Sequence, residues 1–351
     1  MKVLFYSKTF KEVQELMVEQ GFKAFNARQI FNWVYKHNNY DPKTWSNISK
    51  KLIFFCEEHF SFSLPEIIWE GESKDGTRKF LFRFSDKNTV ETVAIPAKDR
   101  LTLCVSSQVG CAIGCTFCHT GTMGLTRHLE AGEVIGQYLA VQKFLSEKGS
   151  QQKITNIVYM GQGEPLHNFE QMKKATEIFL EDFGLGLGQR RITLSTSGMV
   201  PQIKKLTEFP PVNIAISLHA AHNDIRSELM PINKVYDLER LLEAIRNIPL
   251  KAHRWITFEY LLIDGLNDRL EDITALEKLL PKKTSKVNLI PFNEYPQSNF
   301  KRPSKEKILW FNGELNKRGL ISTIRTTKGT DILAACGQLK SEVDNSPNLW
   351  V

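Results

Sequence analysis

Long hydrophobic runs are missing from this chain of 351 residues. No apolar stretch approaches the ~20 residues that a membrane helix requires, so no membrane span is expected. The opening run MKVLFYSKTFKEVQELM lacks a continuous apolar core and a small-residue cleavage site, which argues against export. Cysteine is scarce too, with six in all, three of them crowded into one loop. That distribution argues against a disulfide scaffold and for metal or catalytic work in a reducing compartment, hence a cytoplasmic location. Nor is there a dense basic block. The net charge of +7 permits a nucleic-acid partner without establishing one. The local groups Lys282, Lys283, Lys286 and Lys301, Arg302, Lys305, Lys307 read individually as solvated faces. With 42% hydrophobic and 24% charged residues, the composition is that of an ordinary soluble globular protein.

What the chain does have is the run VGCAIGCTFCHTG, with Cys111, Cys115 and Cys118 spaced C-x-x-x-C-x-x-C. Four thiolates close a 4Fe–4S cubane for electron transfer. Three from one short loop leave one iron open for another ligand. Two rival patterns overlap the loop. Cys115 to His119 also fits C-x-x-C-H, the haem-attachment pattern of exported proteins. Zinc favours closed sets of four ligands, and here His119 or Cys104 would have to complete the set. The loop, with the aromatic Phe117 just before its last cysteine, resembles the radical-SAM signature. In that class the open iron chelates S-adenosylmethionine (SAM), whose sulfonium the cluster reduces to release a carbon radical.

The chain divides into parts. Residues 1–66 read as a small, mainly helical domain, with apolar spacing of helical period over 10–20, 26–37 and 45–59. Residues 67–96 turn to short β-rich runs, and Lys74-Asp75-Gly76 is a hairpin signal. Pro96 and the polar AKDR stretch mark the boundary to a catalytic domain over 97–340, followed by a tail over 341–351. Strands are expected over 101–106, 154–160, 191–196, 212–218, 255–263 and 286–291. Helices are expected over 130–147, 168–181, 200–209, 238–248 and 270–280. Six apolar strands alternating with helices imply a parallel sheet, because parallel strands need crossover connections. The α/β pattern falls short of the eight units of a closed barrel and points to an open (β/α)6 partial barrel. A doubly wound sheet fits the same pattern.

Polar, glycine-rich segments fall just after the strands. The cysteines follow the first, and Gly161-Gln162-Gly163-Glu164-Pro165 the second. Ser195 ends the third, Ser217-Leu218-His219 closes the fourth, and Pro291-Phe292-Asn293 follows the sixth. In barrels of this kind that rim is where chemistry is built. Gly161 and Gly163 let a ligand approach the backbone, and Glu164 is placed to take the SAM amino group.

Cys56, in the run IFFC, reads as core. Cys336 in GTDILAACGQL would read the same way alone. Together, however, GTDILAACGQL, CVSSQVGC and MGQGEPLHN closely resemble the RlmN family of radical-SAM adenine methyltransferases, whose nearest relative is the antibiotic-resistance methyltransferase Cfr. The resemblance covers nearly the whole chain, least specifically the N-terminal segment. Pro165 after Glu164 looks like RlmN, whereas Cfr-type sequences tend to have Ala there.

The resemblance implies a mechanism. Cys336 matches the cysteine that is methylated first. A second SAM, so two per turnover, then supplies a 5′-deoxyadenosyl radical that takes hydrogen from the S-methyl group. The methylene radical adds to carbon 2 of adenine. Cys104 matches the resolving cysteine that attacks Cys336 to release product as a disulfide forms. Glu91 matches the proposed proton acceptor. Gly163, Glu164, Ser195, Ser217, Leu218, His219 and Asn293 correspond to SAM contacts. By the same resemblance the substrates are large-subunit ribosomal RNA and tRNA, and an electron donor such as flavodoxin or ferredoxin is implied. Unstacked bases suit a site that must receive one adenine. The small N-terminal domain is the candidate RNA grip, although Phe25, Phe31, Trp33 and Tyr35 fit a helix core equally. Two other functions compete: a Cfr-like carbon-8 methyltransferase, and a zinc-stabilised RNA-binding module without catalysis.

Overall fold

The computed structural model describes residues 2–248, 250, 254–295 and 298–340; the tail expected over 341–351 lies outside them. At the N-terminus β1 (Val3–Leu4) pairs in parallel with β2 (Phe60–Ser61), bracketing α1 (Phe10–Glu19), α2 (Phe25–Phe31) and α3 (Lys50–His59). A capping box between Thr9 and Glu12 starts α1. The helix expected over 45–59 begins later, at Lys50, because the Ser49 side chain caps it by accepting from the Leu52 N–H. Ahead of it, Asp41-Pro42 gives only a 3-10 turn over Pro42–Thr44. Phe31 and Tyr35 are buried in the core, whereas Phe25 is exposed.

The β-rich segment folds as β3 (Glu66–Glu72), β4 (Arg78–Arg83) and β5 (Thr89–Ala97), an antiparallel meander. It continues directly into the parallel sheet, since β5 pairs antiparallel with β6 (Arg100–Cys104). The polar stretch after Pro96 is thus a hairpin within one sheet. A second hairpin, β7 (Gln108–Gly110) with β8 (Leu125–His128), brackets the cysteine loop.

The remaining elements alternate. They are α4 (Ala131–Glu147), β9 (Asn156–Tyr159), α5 (Phe169–Leu180), β10 (Ile192–Thr196), α6 (Val200–Ile203), β11 (Asn213–Ser217), α7 (Asn223–Leu229) and α8 (Leu238–Arg246). Then follow β12 (Ile256–Leu262), α9 (Leu270–Leu279), β13 (Ser285–Pro291), α10 (Lys305–Lys317) and β14 (Ile321–Ile324). The sheet of ten strands runs β14-β13-β12-β11-β10-β9-β6-β5-β4-β3. From β6 to β14 every neighbour is parallel, and apart from the β7–β8 hairpin between β6 and β9 the neighbours are successive in the chain. Right-handed crossovers between successive neighbours keep the helices on one side, so the sheet is a partial barrel and not doubly wound.

Three expectations change. The helix expected over 200–209 is only the short α6 plus a 3-10 turn over Leu206–Glu208. Pro210 forces Phe209 into extended backbone and stops it. The helices α7 and α10 were not expected, and β14 adds a seventh parallel strand.

Candidate active site

The cysteine loop closes where the Cys111 N–H donates to the Gly124 carbonyl at 2.7 Å. Inside it the Cys118 N–H donates to the Cys115 carbonyl (3.1 Å), and the Thr116 N–H reaches the Leu229 carbonyl at the end of α7 (3.0 Å). Phe117 packs edge-on against His219, with ring centres 4.8 Å apart. All three thiols line one cleft at the C-terminal ends of the parallel strands. Burial pushes the Cys111 thiol up to about 12 and raises Cys115 and Cys118 as well. Such thiols keep their protons until a metal replaces them.

The donor set fits a cubane. Three soft sulfurs face one cleft, yet among the described residues no three His, Cys, Asp or Glu side chains form a group for a single metal ion. The two candidates for a fourth zinc ligand differ in placement. The His119 ring stacks on Tyr295 at 5.0 Å, and Cys104 lines a different cavity.

Gly163, Glu164, Ser195, Ser217 and His219 line the same cleft. Gly163 has φ +99°, and a Cβ there would fall 2.5 Å from the Gln108 Cβ. Only glycine fits. The Glu164 N–H donates to Gln108 Oε1 (2.7 Å), while Glu164 Oε1 accepts from the Leu166 N–H (3.0 Å) and Oε2 from the Ser197 N–H (2.7 Å). Burial raises the Glu164 carboxyl, and these backbone donors pull it back. The Thr196 and Ser197 side chains stand against the same carboxyl, so Glu164 is held at the edge of the cleft it lines.

His219 sits in left-handed backbone at φ +59°. Its Nδ1 accepts from the Leu261 N–H (3.0 Å), which leaves the ring proton on Nε2. Burial, aided by Arg226, lowers its pKa to about 3, so the ring stays neutral. Two expected SAM contacts lie elsewhere. Leu218 is fully buried behind the rim, and only its backbone serves the site, through its N–H on the Glu259 carbonyl (3.0 Å). Asn293 lines the neighbouring cavity, where its Nδ2 donates to the Cys336 carbonyl (3.3 Å).

That second cavity also holds Cys104. Cys336 stands on the wall between the two and lines both, as do Met160, Ile290 and Arg325. Both thiols are free. Burial and the neighbouring Cys336 push Cys104 up to about 12. Arg325 keeps its proton despite burial because Cys336 and Glu259 lie beside it. Glu91 lines neither cavity. Its Oε1 pairs with Lys79 Nζ at 2.9 Å and its Oε2 accepts from the Lys340 N–H at 2.8 Å.

Sequence reasoning missed Arg325, Arg226, Gln108 and Lys79. Arg325 was within reach, because it directly follows β14 on the rim already singled out. Arg226, in α7, is fully buried. It donates to the carbonyls of Ser197 (2.8 Å), Ser217 (3.1 Å) and Leu218 (3.0 Å) and to Asn233 Oδ1 (2.8 Å), so one guanidinium joins the rim loops after β10 and β11.

Three cysteines after the first strand of an open parallel barrel, facing a carboxylate and polar strand ends across one cleft, define a radical-SAM enzyme. Residues 105–276 match the Radical SAM superfamily, and residues 6–53 match the ribosomal RNA large subunit methyltransferase N-terminal domain. The chain is 44% identical over 348 residues to the dual-specificity RNA methyltransferase RlmN of Dichelobacter nodosus, covering 98% of this chain and 96% of that protein. To the protein of the same description from Syntrophobacter fumaroxidans it is 43% identical over 334 residues, covering 95% and 97%. The crystal structure of a radical SAM methyltransferase from Sphaerobacter thermophilus superposes with a TM-score of 0.90 at 42% identity, covering 97% of this chain and 100% of that one. The chain belongs to the RlmN family of radical-SAM methyltransferases. Family membership implies a 4Fe–4S cluster and SAM. Among the described residues no helix is long and apolar enough to cross a membrane.

Proposed function

We propose that this protein methylates carbon 2 of adenosine in large-subunit ribosomal RNA and in tRNA, with Cys336 carrying the methyl group. One observation carries the reading: Cys336 lines both the cleft of the cysteine triplet and the cavity of Cys104. A single sulfur can therefore serve a methyl donor on one side and a resolving thiol on the other.

Cys111, Cys115 and Cys118 would hold the cluster, and Glu164, Ser195, Ser217 and His219 would bind SAM beside it. When bound, the pair supplies the methyl group and, from a second SAM, the hydrogen-abstracting radical. The chain's residues do the rest. Arg325 lines both cavities beside Cys336 and places a positive charge next to its sulfur as it takes the methyl group. Carbon 2 of adenine bonds to the carbon held on Cys336; the radical adduct gives up one electron to the oxidised cluster, and Glu91 takes the proton lost from carbon 2. The Cys104 sulfur then attacks the Cys336 sulfur. Cys104 gives up its thiol proton, the carbon–sulfur bond breaks with its electron pair left on the departing carbon, that carbon takes up a proton to become the methyl group, and a disulfide forms. Residues 1–66 are the candidate RNA grip, residues 67–96 the sheet extension, and residues 97–340 the catalytic domain. An electron donor of the flavodoxin or ferredoxin type and a cytoplasmic location complete the reading.

The test is mass spectrometry of RNA nucleosides from cells with and without the gene. Loss of 2-methyladenosine in the deletion is the expected result. A loss confined to 8-methyladenosine, or unchanged nucleosides, overturns it.

A further inference from the structure

The segment carrying Cys336 lies against one face of the antiparallel extension. Ala334 and Leu339 pack with Val93 and Cys104 in a small apolar cluster. On the same floor lie Lys79 and Glu91, diagonal neighbours on β4 and β5, with side chains 1% and 4% exposed. Lys79 Nζ donates to Glu91 Oε1 at 2.9 Å and also reaches the Leu333 carbonyl at 3.4 Å. Glu91 Oε2 receives the Lys340 N–H at 2.8 Å. The ion pair thus holds the segment on both sides of Cys336.

Leu333 has φ +50°, a left-handed backbone that a leucine keeps only when its surroundings hold it there. Lys79 holds its carbonyl. Between the two fastenings the chain turns at Gly337, φ +84°, whose carbonyl accepts the His119 N–H at 2.8 Å, while Asn293 Nδ2 donates to the Cys336 carbonyl at 3.3 Å, so Cys336 is kept at the wall between the two cavities. The proposed chemistry asks for this, because one sulfur must meet a methyl donor, an adenine and Cys104 in turn.

We propose that Lys79 is a positioning residue for this reaction: paired with Glu91, it fastens the two ends of the 333–340 segment to the sheet extension and so sets where Cys336 can reach. The inference rests on Cys336 as the methyl carrier.

The test compares Lys79→Met and Lys79→Arg by amide hydrogen exchange and by product ratio, with iron content as control. In Lys79→Met the amides of 333–340 should exchange at least about tenfold faster, as expected when a charged hydrogen bond is lost. The yield of 5′-deoxyadenosine per methylated adenosine should rise, because radicals form while the carrier is out of place. Lys79→Arg, which keeps the charge, should recover much of both. If Lys79→Met does not fold, the double variant Lys79→Met/Glu91→Leu removes both charges and leaves no lone buried ion. Its amides at the Leu333 end, away from the Lys340 N–H that Glu91 itself holds, should still exchange faster. Unchanged exchange in a folded variant, or an unchanged product ratio in Lys79→Met, overturns the inference. Normal RNA methylation by Cys336→Ala would instead overturn the reading beneath it.

Discussion

Cys336 and Cys104 share a cavity but not a task, and single substitutions should separate them. Cys336→Ala removes the methyl carrier, so no RNA should become attached to the protein. Cys104→Ala leaves attachment possible but deletes the attacking thiol. It should accumulate a nuclease-sensitive shift on a denaturing gel, and both variants should keep their iron. Acidity adds a second prediction. Cys104 is pushed up to about 12, so at neutral pH it is nearly all thiol. Below that value the thiolate fraction grows with pH, and release of RNA from Cys336 should accelerate about tenfold per pH unit between pH 7 and 9. A plateau near pH 8.5, the ordinary thiol value, would contradict this. Glu164 gives a third. Glu164→Ala leaves the buried amides of Leu166 and Ser197 without their acceptor, a loss of about 1–3 kcal/mol each, besides weakening SAM binding. Glu164→Gln, which keeps one acceptor oxygen, should lower the melting temperature less, as calorimetry would record. The residues of this site were unevenly legible. The cysteine triplet announces itself by spacing, and Glu164 by its place after a strand. Cys104 and Glu91 look like core and surface until the family resemblance is drawn, because what ties them to the site, Cys336 for one and the Lys340 N–H for the other, lies far along the chain, 249 positions in the second case.

Between residue and molecule, the short helix α7 shows how an element with little apolar content still governs the rim. Seven residues with Arg226 at their centre carry too few periodic apolar positions to announce a helix. The burial of Arg226, not the period, makes the element. Arg226→Met should therefore cost more than a surface charge. Several buried carbonyls lose their donor together, so unfolding in urea should begin at least about 2 kcal/mol sooner. SAM affinity should fall as the loops after β10 and β11 separate, while the iron content remains. Longer elements were legible for the opposite reason. α4, α5 and α9 carry sustained apolar periods, and the strands between them are bounded by polar turns. The start of α3 was not, because Ser49 as a cap outweighs the apolar residues ahead of it. Likewise Pro96 reads as a break in sequence, yet it sits in β5 where the strand pairs onward to β6.

At the scale of the whole molecule, if the proposed RNA substrate is held, the spread of basic residues under a net charge of +7 would give it diffuse and not concentrated contact with the phosphate backbone. RNA binding should weaken steadily as salt rises, with a log–log slope of roughly −0.7 per phosphate contacted on single strands. A salt-independent affinity in filter binding would count against an electrostatic grip. The strand order has another consequence. From β6 to β14 each parallel strand joins the one made just before it, so most of the sheet can assemble as the chain emerges. The fastenings of the Cys336 segment are different: Asp331 to Ser73, Leu333 to Lys79 and Lys340 to Glu91 span 258, 254 and 249 positions. They close after the barrel, between the antiparallel extension and a segment that follows β14. A partly made molecule can thus own a nearly complete barrel and still have no carrier in place, because the carrier's anchor and its attachment are translated so far apart.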